Sequence, residues 1–502
     1  MGGRPRRPPA PWSPVSKARL ELLNLTRGRA ERERGPTFSL GHQRLAMAYP
    51  SPYRVGMSSL GYQWILQQLR DVGVSAERVF LPDDVDAWRA ARLAPLSCET
   101  ETPLSHFPVI FISLAYELEI AGLVHLLQLS GIPLLRRDRQ QGDPLILLGG
   151  PITFSNPEPF APFVDAMLLG EAEETAPVAA KAFFECGSRE AWLDLIAALP
   201  GGYVPERHER LPAPARATDA LLPARSCILS PDTELSDMFL IEGERGCHRE
   251  CTFCVMRRST NGGMRLVEPD HVLSLIPEHA TKVGFVGAAI SDHPQLVELL
   301  DAVHRSGRGV GVSSLRDDRL TRRPRIAELL RASGARTLTT ASDAATERLR
   351  KTLRKGATEA LLEEVAAQAG SLGFKTLKIY MMLGVPGEED DDIDELIACT
   401  NQLARHVHVA LGVAPFVSKR MTPLDQQPFA GISVVERRVK RLQKGLDRKR
   451  AEVRPTSARW AWVEHALAQG DAATGEAAAR AVLAGGRFAD YRRELAERGL
   501  SV

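Results

Sequence analysis

The sequence predicts an α/β protein built from two parallel-sheet regions followed by a helical C-terminal tail. Short apolar runs alternate with amphipathic helical stretches from about residue 43 to 186, and the same alternation returns from 236 to about 430. Three of only seven cysteines fall within eight positions, at Cys247, Cys251 and Cys254. The 502 residues are 44% apolar and 25% charged, which is ordinary for a globular chain of two or three domains.

The first region, residues 41–187, is expected to form a doubly wound parallel sheet of the flavodoxin-like kind, because its apolar runs are short and separated by helices. Ligands of such sheets bind beyond the carboxyl ends of the strands. Ser113, Gly149 and Gly150 follow two of these strands and are candidate binding residues, although the glycines could equally mark tight turns. The predicted strands cover residues 45–49, 76–80, 109–113, 145–148 and 164–169, with helices over 59–71 and 117–129.

The flanking segments carry no chemistry of their own. Residues 1–40 are expected to be a disordered lead-in, helical near 18–25, and residues 188–235 a Pro- and Ala-rich linker with a small hairpin near 203–210. No apolar run approaches the ~18 residues of a membrane span, and no signal-peptide pattern begins the chain. The few, clustered cysteines indicate the reducing cytoplasm.

The second region, residues 236–430, is expected to form a partial, open (β/α)6 barrel with its chemistry at the carboxyl ends of the strands. The cysteine loop directly follows the first strand. The acidic run at 388–392 is interpreted as a helix start, where negative charge complements the helix dipole, and not as a metal site. The predicted strands cover residues 238–241, 283–287, 310–314, 337–340, 377–382 and 407–411, with helices centred on Leu299, Ile326, Leu362 and Leu396.

Three thiolates within one loop point to a metal centre. A structural zinc site needs four protein ligands, usually in paired arms, and no second pair of cysteines follows. Three thiolates suit a [4Fe–4S] cube in which one iron stays open for a substrate or cofactor. Zinc remains the alternative at this point.

The pattern Cys-x3-Cys-x-Phe-Cys, with Phe253 as its aromatic residue, resembles the signature of radical S-adenosylmethionine (SAM) enzymes. In that family the open iron chelates SAM, and an electron from the cluster releases a 5′-deoxyadenosyl radical. The resemblance implies that the three cysteines bind the cluster and that Phe253 lies beside the cofactor. It also implies an electron donor such as a flavodoxin or ferredoxin.

Several strand ends resemble the family's SAM-handling positions. Gly287 and Ala288 begin a stretch that stands where the family has Gly-Gly-Glu, whose backbone contacts the amino group of SAM, but the Glu is missing here. Ser313, Ser314 and Arg316 resemble a Ser-Leu-Arg element. Arg316 would then bind a carboxylate through its fork, and the alternative is an ion pair with the adjacent aspartates.

Two further strand ends complete this set. Asp343 replaces the family's more common Glu and could reach the same partner only through water. Gly384 and Pro386 lie in a fifth-strand turn that matches the family closely and would shape the wall beside adenine.

The first region resembles the cobalamin-binding-type domain of B12-dependent radical SAM proteins. The chain lacks an Asp-x-His-x-x-Gly motif, whose His ligates cobalt in other B12 proteins, so cobalamin stays an open expectation without that ligand. The resemblance rests on Tyr53-Arg-Val-Gly-Met57, Tyr116-Glu-Leu-Glu119, Gly149-Gly-Pro151 and Asn156-Pro-Glu-Pro159.

Residues 431–502 are expected to be helical, with Trp460 and Trp462 packed on the core. A basic helix from about Val435 to Leu446 could track phosphates, which leaves nucleic acid open as a partner, although a solvated face is the commoner reason for such a pattern. The net charge of +2 gives no sign of a polyanion partner.

The resemblance implies a radical SAM enzyme that methylates an unactivated carbon with cobalamin. A methylthiotransferase acting on RNA or protein is the first alternative, but it needs a second cysteine cluster, and the first region holds only Cys98 and Cys186. A non-catalytic redox sensor that keeps the cluster is the second. No pattern in the sequence identifies the substrate.

Overall fold

The computed structural model describes residues 17–256, 263–312 and 315–496, and it confirms the predicted α/β class. Two domains with parallel sheets follow each other along the chain, and the C-terminal helices return to the first domain. Within the described ranges no helix is both long and apolar enough to cross a bilayer.

The first domain contains a six-stranded sheet in the order β2-β1-β3-β4-β5-β6. Its first five strands are parallel and confirm the predicted ones, because their Val-, Ile- and Leu-rich runs are buried on both faces. The hairpin predicted near 203–210 is wrong, since Gly202 and Tyr203 pair with β5 in the antiparallel direction. The strands are β1 (Arg44–Tyr49), β2 (Ser75–Phe80), β3 (Val109–Ser113), β4 (Leu145–Gly149), β5 (Ala166–Leu168) and β6 (Gly202–Tyr203).

Seven helices belong to this part of the chain. The first is longer than the helical segment predicted near 18–25. The last lies inside the predicted linker and buries Trp192, Leu193 and Ile196 in the core of the first domain, which therefore extends past residue 187. The helices are α1 (Lys17–Glu31), α2 (Tyr53–Gly56), α3 (Leu60–Asp71), α4 (Val85–Ala90), α5 (Ile120–Leu129), α6 (Thr175–Glu185) and α7 (Arg189–Ala198).

The second domain contains two parallel sheets, β11-β10-β7 and β12-β13-β14-β15, which a parallel bridge from Leu315 to Thr340 connects. All six predicted strands are present. A seventh, β15, was not predicted because its short, mostly polar segment has no apolar run. The strands are β7 (Met238–Glu242), β8 (Glu244–Gly246), β9 (Met264–Leu266), β10 (Lys282–Val286), β11 (Gly309–Val312), β12 (Thr337–Asp343), β13 (Thr376–Leu383), β14 (His408–Pro415) and β15 (Ala451–Pro455).

The helices of the second domain cover the outside of these strands. The acidic run at 388–392 begins a helix, as predicted, and Glu389 and Asp392 form its capping box. The helices are α8 (Pro269–Ser274), α9 (Leu296–Arg305), α10 (Asp317–Arg322), α11 (Arg325–Ala332), α12 (Glu347–Thr352), α13 (Glu359–Ser371), α14 (Asp390–Leu403) and α15 (Ile432–Gly445).

The basic face of α15 packs against this acidic helix start. Arg438 is buried and donates to Glu388 Oε1 at 2.8 Å. Arg437 and Arg441 lie within ion-pair distance of Asp390. These arginines are therefore engaged within the chain.

Three C-terminal helices, α16 (Ala458–Gln469), α17 (Ala472–Leu483) and α18 (Phe488–Ala496), pack on the first domain. Trp462 is buried in the core that they share with the N-terminal sheet, and Trp460 packs against the same core, as predicted. Buried Asn156 donates to three carbonyl oxygens at the end of α16, those of Leu467, Ala468 and Gly470, at 2.8–3.2 Å. One face of the N-terminal sheet is thus covered by the far end of the chain.

Candidate active site

The cysteine loop follows β8 at the carboxyl edge of the second domain. The backbone N–H of Thr252 donates to Leu353 O at 3.1 Å, and Leu424 N–H donates to Thr252 O at 3.2 Å. Phe253 packs against the apolar core of this domain. These contacts anchor the middle of the loop, while Cys247, Cys251 and Cys254 remain half-buried.

A buried carboxylate also holds the loop. Arg249 donates two hydrogen bonds of 2.8 Å to Asp292, whose side chain is fully buried and also bonded to Arg319 at 2.5 Å. Burial alone would raise the pKa of Asp292, but the hydrogen bonds from the two arginines hold this pKa at about 2. The carboxylate is therefore ionised and fixes the segment between the first two cysteines.

The donor set of the loop fits an iron–sulfur cluster better than zinc. All three cysteines are free thiols, and His248 turns toward Met264 Sδ at 3.4 Å and Asp292 at 3.8 Å, so it does not supply a fourth ligand. Burial raises the pKa of Cys247 and of Cys254, and the charge of Cys251 raises both further. Among the described residues, no three side chains of metal-ligand type converge on one point. The three thiols therefore share one loop without forming a preassembled metal site.

Gly287 and Ala288 follow β10 and lie against Glu244, a residue of β8. A Cβ atom on Gly287 would be only 2.2 Å from Glu244 Oε1, so a larger residue would have to displace the Glu244 side chain. The same oxygen accepts the N–H of Ala289 at 2.7 Å, whereas Glu244 Oε2 is buried without a hydrogen-bond partner. An unsatisfied buried oxygen at this place fits a ligand with N–H donors, as SAM has.

Burial raises the pKa of Glu244 to about 7. The hydrogen bond from Ala289 lowers this pKa, whereas the negative charges of Glu242 and Asp292 raise it. Sequence reasoning missed this residue. The feature of the sequence that could have identified Glu244 is its position, since it is an acidic residue only three residues before Cys247.

Arg316 and Asp343 meet at one lysine. Arg316 Nε donates to Asp318 at 2.8 Å, which is the pairing that the sequence left as an alternative, and its Nη2 donates to Lys355 O at 3.3 Å. The ammonium group of Lys355 lies 2.5 Å from Asp343, which adopts a φ of +62° at a bulge where β12 ends. Ser313 and Ser314, predicted beside them, lie outside the described residues.

Gly384 and Pro386 lie in the turn after β13. Gly384 has a φ of +81°, and a Cβ atom there would be 2.8 Å from Ala430 Cβ. Its N–H donates to buried Glu388 at 2.8 Å. The turn therefore requires glycine, both for its backbone conformation and for its close packing.

Ser113, Gly149 and Gly150 lie together in the wall of a cavity of about 330 Å³ between the two domains. Most of its lining is apolar, and it comes from helix α3 and from the carboxyl ends of β3, β4 and β5. The opposite wall belongs to the second domain and consists of Glu242, Arg245, Met256 and Val286. The size and lining are typical of a site for a small molecule or cofactor.

The two glycines shape the cavity differently. Gly150 has a φ of +98°, and a Cβ atom would lie 2.5 Å from Leu114 O, so only glycine is accommodated. A Cβ atom on Gly149 would meet nothing closer than Leu168 O at 3.9 Å. Gly149 thus leaves open a space that a larger residue would fill.

Ion pairs join the two domains beside this cavity. Arg245 of β8 binds Glu173 of the first domain at 2.5 Å and Glu242 of its own domain at 2.8 Å. Arg265 of β9 pairs with Glu171 of the first domain. The two pairs that cross between the domains could not be predicted from the sequence, because their partners are far apart along the chain.

Sequence models of two domains match the chain. Residues 61–205 match the model described as radical SAM proteins, N-terminal, and residues 241–399 match that of the radical SAM superfamily. An uncharacterized protein of Methanocaldococcus jannaschii is 25% identical over 421 residues, which cover 81% of this chain and 84% of that protein.

Two solved structures share the fold. TsrM from Kitasatospora setae, a radical SAM methyltransferase with cobalamin and a [4Fe-4S] cluster bound, has a TM-score of 0.51 at 14% identity and covers 79% of this chain and 78% of that chain. OxsB, a cobalamin-dependent SAM radical enzyme with aqua-cobalamin and SAM bound, has a TM-score of 0.50 at 13% identity, with coverages of 82% and 58%.

The matched domains follow each other in the order that the fold shows, and the cysteine loop lies within the second match. The second domain implies a [4Fe–4S] cluster and SAM, for which the three thiols and the strand ends around Gly287 are suited. The chain therefore belongs to the radical SAM superfamily, and its first domain is the N-terminal domain found in radical SAM proteins.

Proposed function

We propose that the protein cleaves SAM reductively and uses cobalamin to methylate an unactivated carbon. The observation that carries this proposal is the cavity between the domains. It opens from the carboxyl ends of the N-terminal strands toward the cysteine loop, and Met256, two residues beyond Cys254, is part of its wall. A ligand in the cavity would thus lie close to a cluster on the loop.

The residues of the cavity suit a large, mostly apolar ring. Gly149 and Gly150 allow a ligand to approach the backbone after β4, and most of the wall is apolar. No histidine is present among the described lining residues, so cobalt would receive no imidazole from this wall. TsrM and OxsB, which have the same fold and whose structures contain bound cobalamin, add support.

When these groups are bound, the cluster would supply the electron and SAM would supply the radical and the methyl group. Cobalamin would carry the methyl group. The chain itself would hold the cluster through Cys247, Cys251 and Cys254, and Asp292 would keep the loop in place through Arg249. The lysine shared by Arg316 and Asp343 would fix the polar side of the SAM site. We further propose a flavodoxin or ferredoxin as electron donor and the cytoplasm as location.

The methylthiotransferase alternative gains no support from the other cysteines. Cys98, Cys186 and Cys227 each pack beside the core of the first domain. Among the described residues they belong to no group of three side chains that could hold a metal. RNA gains no support from α15 either, because its arginines are paired with the start of α14.

The test is anaerobic reconstitution with iron, sulfide and hydroxocobalamin, followed by assays for 5′-deoxyadenosine and for the absorbance of bound corrinoid. Gly149→Phe should fill the cavity and lower corrinoid binding by about tenfold or more, while iron content and deoxyadenosine formation persist. Gly142→Phe, which adds the same side chain where nothing lies within 4 Å, is the matched control and should bind corrinoid normally.

The outcomes separate the hypotheses. Deoxyadenosine formation by a wild-type protein that binds no corrinoid would remove cobalamin-dependent methylation and keep the radical chemistry. An intact cluster that yields no deoxyadenosine would favour the redox sensor instead.

A further inference from the structure

Strand β13 has a polar side that faces away from the core of the second domain. Lys378 and Tyr380 lie on this side, where Lys378 is half-buried and Tyr380 is 42% exposed. Since β12 and β14 flank the strand, this exposed ring lies above the interior of the sheet and not at its edge. The alternate residues point the other way and belong to the apolar core beneath α13 and α14: Leu377, Ile379, Met381 and Leu383.

Lys378 and Tyr380 form a pair that offers hydrogen-bond donors. Lys378 Nζ donates to Tyr380 Oη at 2.7 Å and lies 4.4 Å from the centre of the ring. Because Oη accepts this bond, its own hydrogen can turn toward a further acceptor, and the ammonium group keeps two more N–H groups. Gly412 of β14 makes room for the pair, since a Cβ atom there would be only 2.9 Å from Tyr380 Cδ1.

The charge of Lys378 is not matched by an acid. In the described ranges of the chain its side chain has only Tyr380 as a partner. Glu452, which stands in the same row of the sheet two strands away, is paired with Arg454. A cation and a hydroxyl that lack an acceptor suit a ligand with anionic oxygens, because charge-assisted hydrogen bonds are the stronger ones.

The pair lies on the route to the cysteine loop. Tyr380 pairs with β12 two residues before Asp343, which binds Lys355. The carbonyl oxygen of the preceding residue, Arg354, lies 3.9 Å from Cys251 Sγ. A molecule held by Lys378 and Tyr380 would therefore lie on the sheet that leads to the cluster ligands.

We propose that Lys378 and Tyr380 bind a carboxylate or phosphate group of the substrate, so that the substrate of this enzyme is an organic anion. The inference deepens the proposed function, because it names the substrate class. It rests on the radical chemistry at the cysteine loop but not on cobalamin. Carboxylate and phosphate share the anionic oxygens that accept from an ammonium group and a hydroxyl.

Three small probes test the site by calorimetry on anaerobically reconstituted protein, with SAM present and without a reductant. The probes are benzoate, phenyl phosphate and benzamide, which has nearly the shape of benzoate but no charge. Benzoate or phenyl phosphate should bind about tenfold more tightly than benzamide. The anion that binds more tightly shows whether the site is built for a carboxylate or for a phosphate.

Variants of matched iron content assign the preference to the pair. Lys378→Met removes the charge and should abolish the preference for the anions. Lys375→Met makes the same change at an exposed residue just before β13 and should keep it. Tyr380→Phe retains the ring over Gly412 but loses one donor, so the preference should fall by about threefold.

The results decide the inference separately from the proposed function. A wild type that binds the anions no more tightly than benzamide would overturn it, and so would a Lys378→Met variant that keeps the preference. An equal loss in Lys375→Met would do the same, because it would reflect net charge and not a site. If the same wild-type protein shows the preference but forms no deoxyadenosine after a reductant is added, the proposed function fails while the anion site stands.

Discussion

Glu244 is a buried acid whose Oε2 has no hydrogen-bond partner among the described residues. An ordinary glutamate titrates near pH 4.5, whereas burial raises the pKa of Glu244 to about 7. Between these values the folded protein keeps a proton that the unfolded chain releases. The contribution of this group to folding is therefore complete below about pH 4.5 and is lost as the pH rises through 7.

We accordingly expect Glu244→Gln to stabilise the ligand-free protein, and to do so more at pH 8 than at pH 5. The glutamine keeps the bond from Ala289 but cannot ionise, so the gain should approach about 3 kcal/mol as an upper limit. Denaturant unfolding of both proteins at the two pH values measures it. A stability difference that does not grow with pH would contradict the raised pKa.

At the scale of elements, Asn156 attaches the C-terminal helices to the first domain. Its amide group donates to three carbonyl oxygens at the end of α16, all of them buried. We expect Asn156→Ala to lower the free energy of unfolding by about 2 kcal/mol or more, because these acceptors would lose their donor in a site that water does not reach. Chemical denaturation gives the energy, and limited proteolysis should show earlier cleavage within 458–496.

Asn401 provides the comparison for this prediction. It donates to Gly445 O at the end of α15 at 3.0 Å, but it lies near the solvent. Water can replace its bonds, so Asn401→Ala should cost less than about 1 kcal/mol. Equal losses for the two variants would show that burial is not the reason for the effect.

The elements that the sequence predicted are those whose signal is local. The apolar run at 109–113 identifies a buried strand, because a strand covered on both faces consists mainly of apolar residues. At 377–382 buried apolar residues alternate with more exposed ones, which is typical of a strand with one face in the core. Strand β15 has no such run and forms because β14 offers it an edge. Helix α7 was missed although it is rich in apolar residues, because it was grouped with the Pro-rich stretch that follows it from Pro200.

The same distinction holds for the site. The cysteine motif and the glycines after β4 could be predicted as candidate site residues, because residue type and spacing are enough to recognise them. The roles of Glu244, Asp292 and Arg245 depend on which charged residues lie beside them after folding. These contacts join residues that are distant in sequence, so the sequence alone does not predict them. The pairing of Arg316 with Asp318 was foreseen only as an alternative for the same reason.

At the scale of the molecule, Arg245 links the two domains beside the cavity. It neutralises Glu173 on one side and Glu242 on the other while it is largely buried. We expect Arg245→Met to cost about 3–5 kcal/mol, because acids in both domains would lose their counter-ion in a dry interface. Calorimetry should then show the thermal transitions of the two domains moving apart.

Arg27 is a suitable comparison, since its pair with Glu101 is exposed on both sides. Arg27→Met should leave the stability and the shape of the thermal transition nearly unchanged, because water screens an exposed ion pair. A variant at Arg245 that unfolds like the wild type would mean that apolar contacts alone couple the domains.

The packing of α16–α18 on the N-terminal sheet also bears on how the protein is made. Asn156 and its partner Leu467 are 311 residues apart, so the ribosome must synthesise the whole second domain before the sheet receives its cover. Until then an apolar face of the first domain is exposed to water and to other proteins. The nascent first domain should therefore be a chaperone client, and the space between the domains takes its final form only once residues 458–496 have emerged.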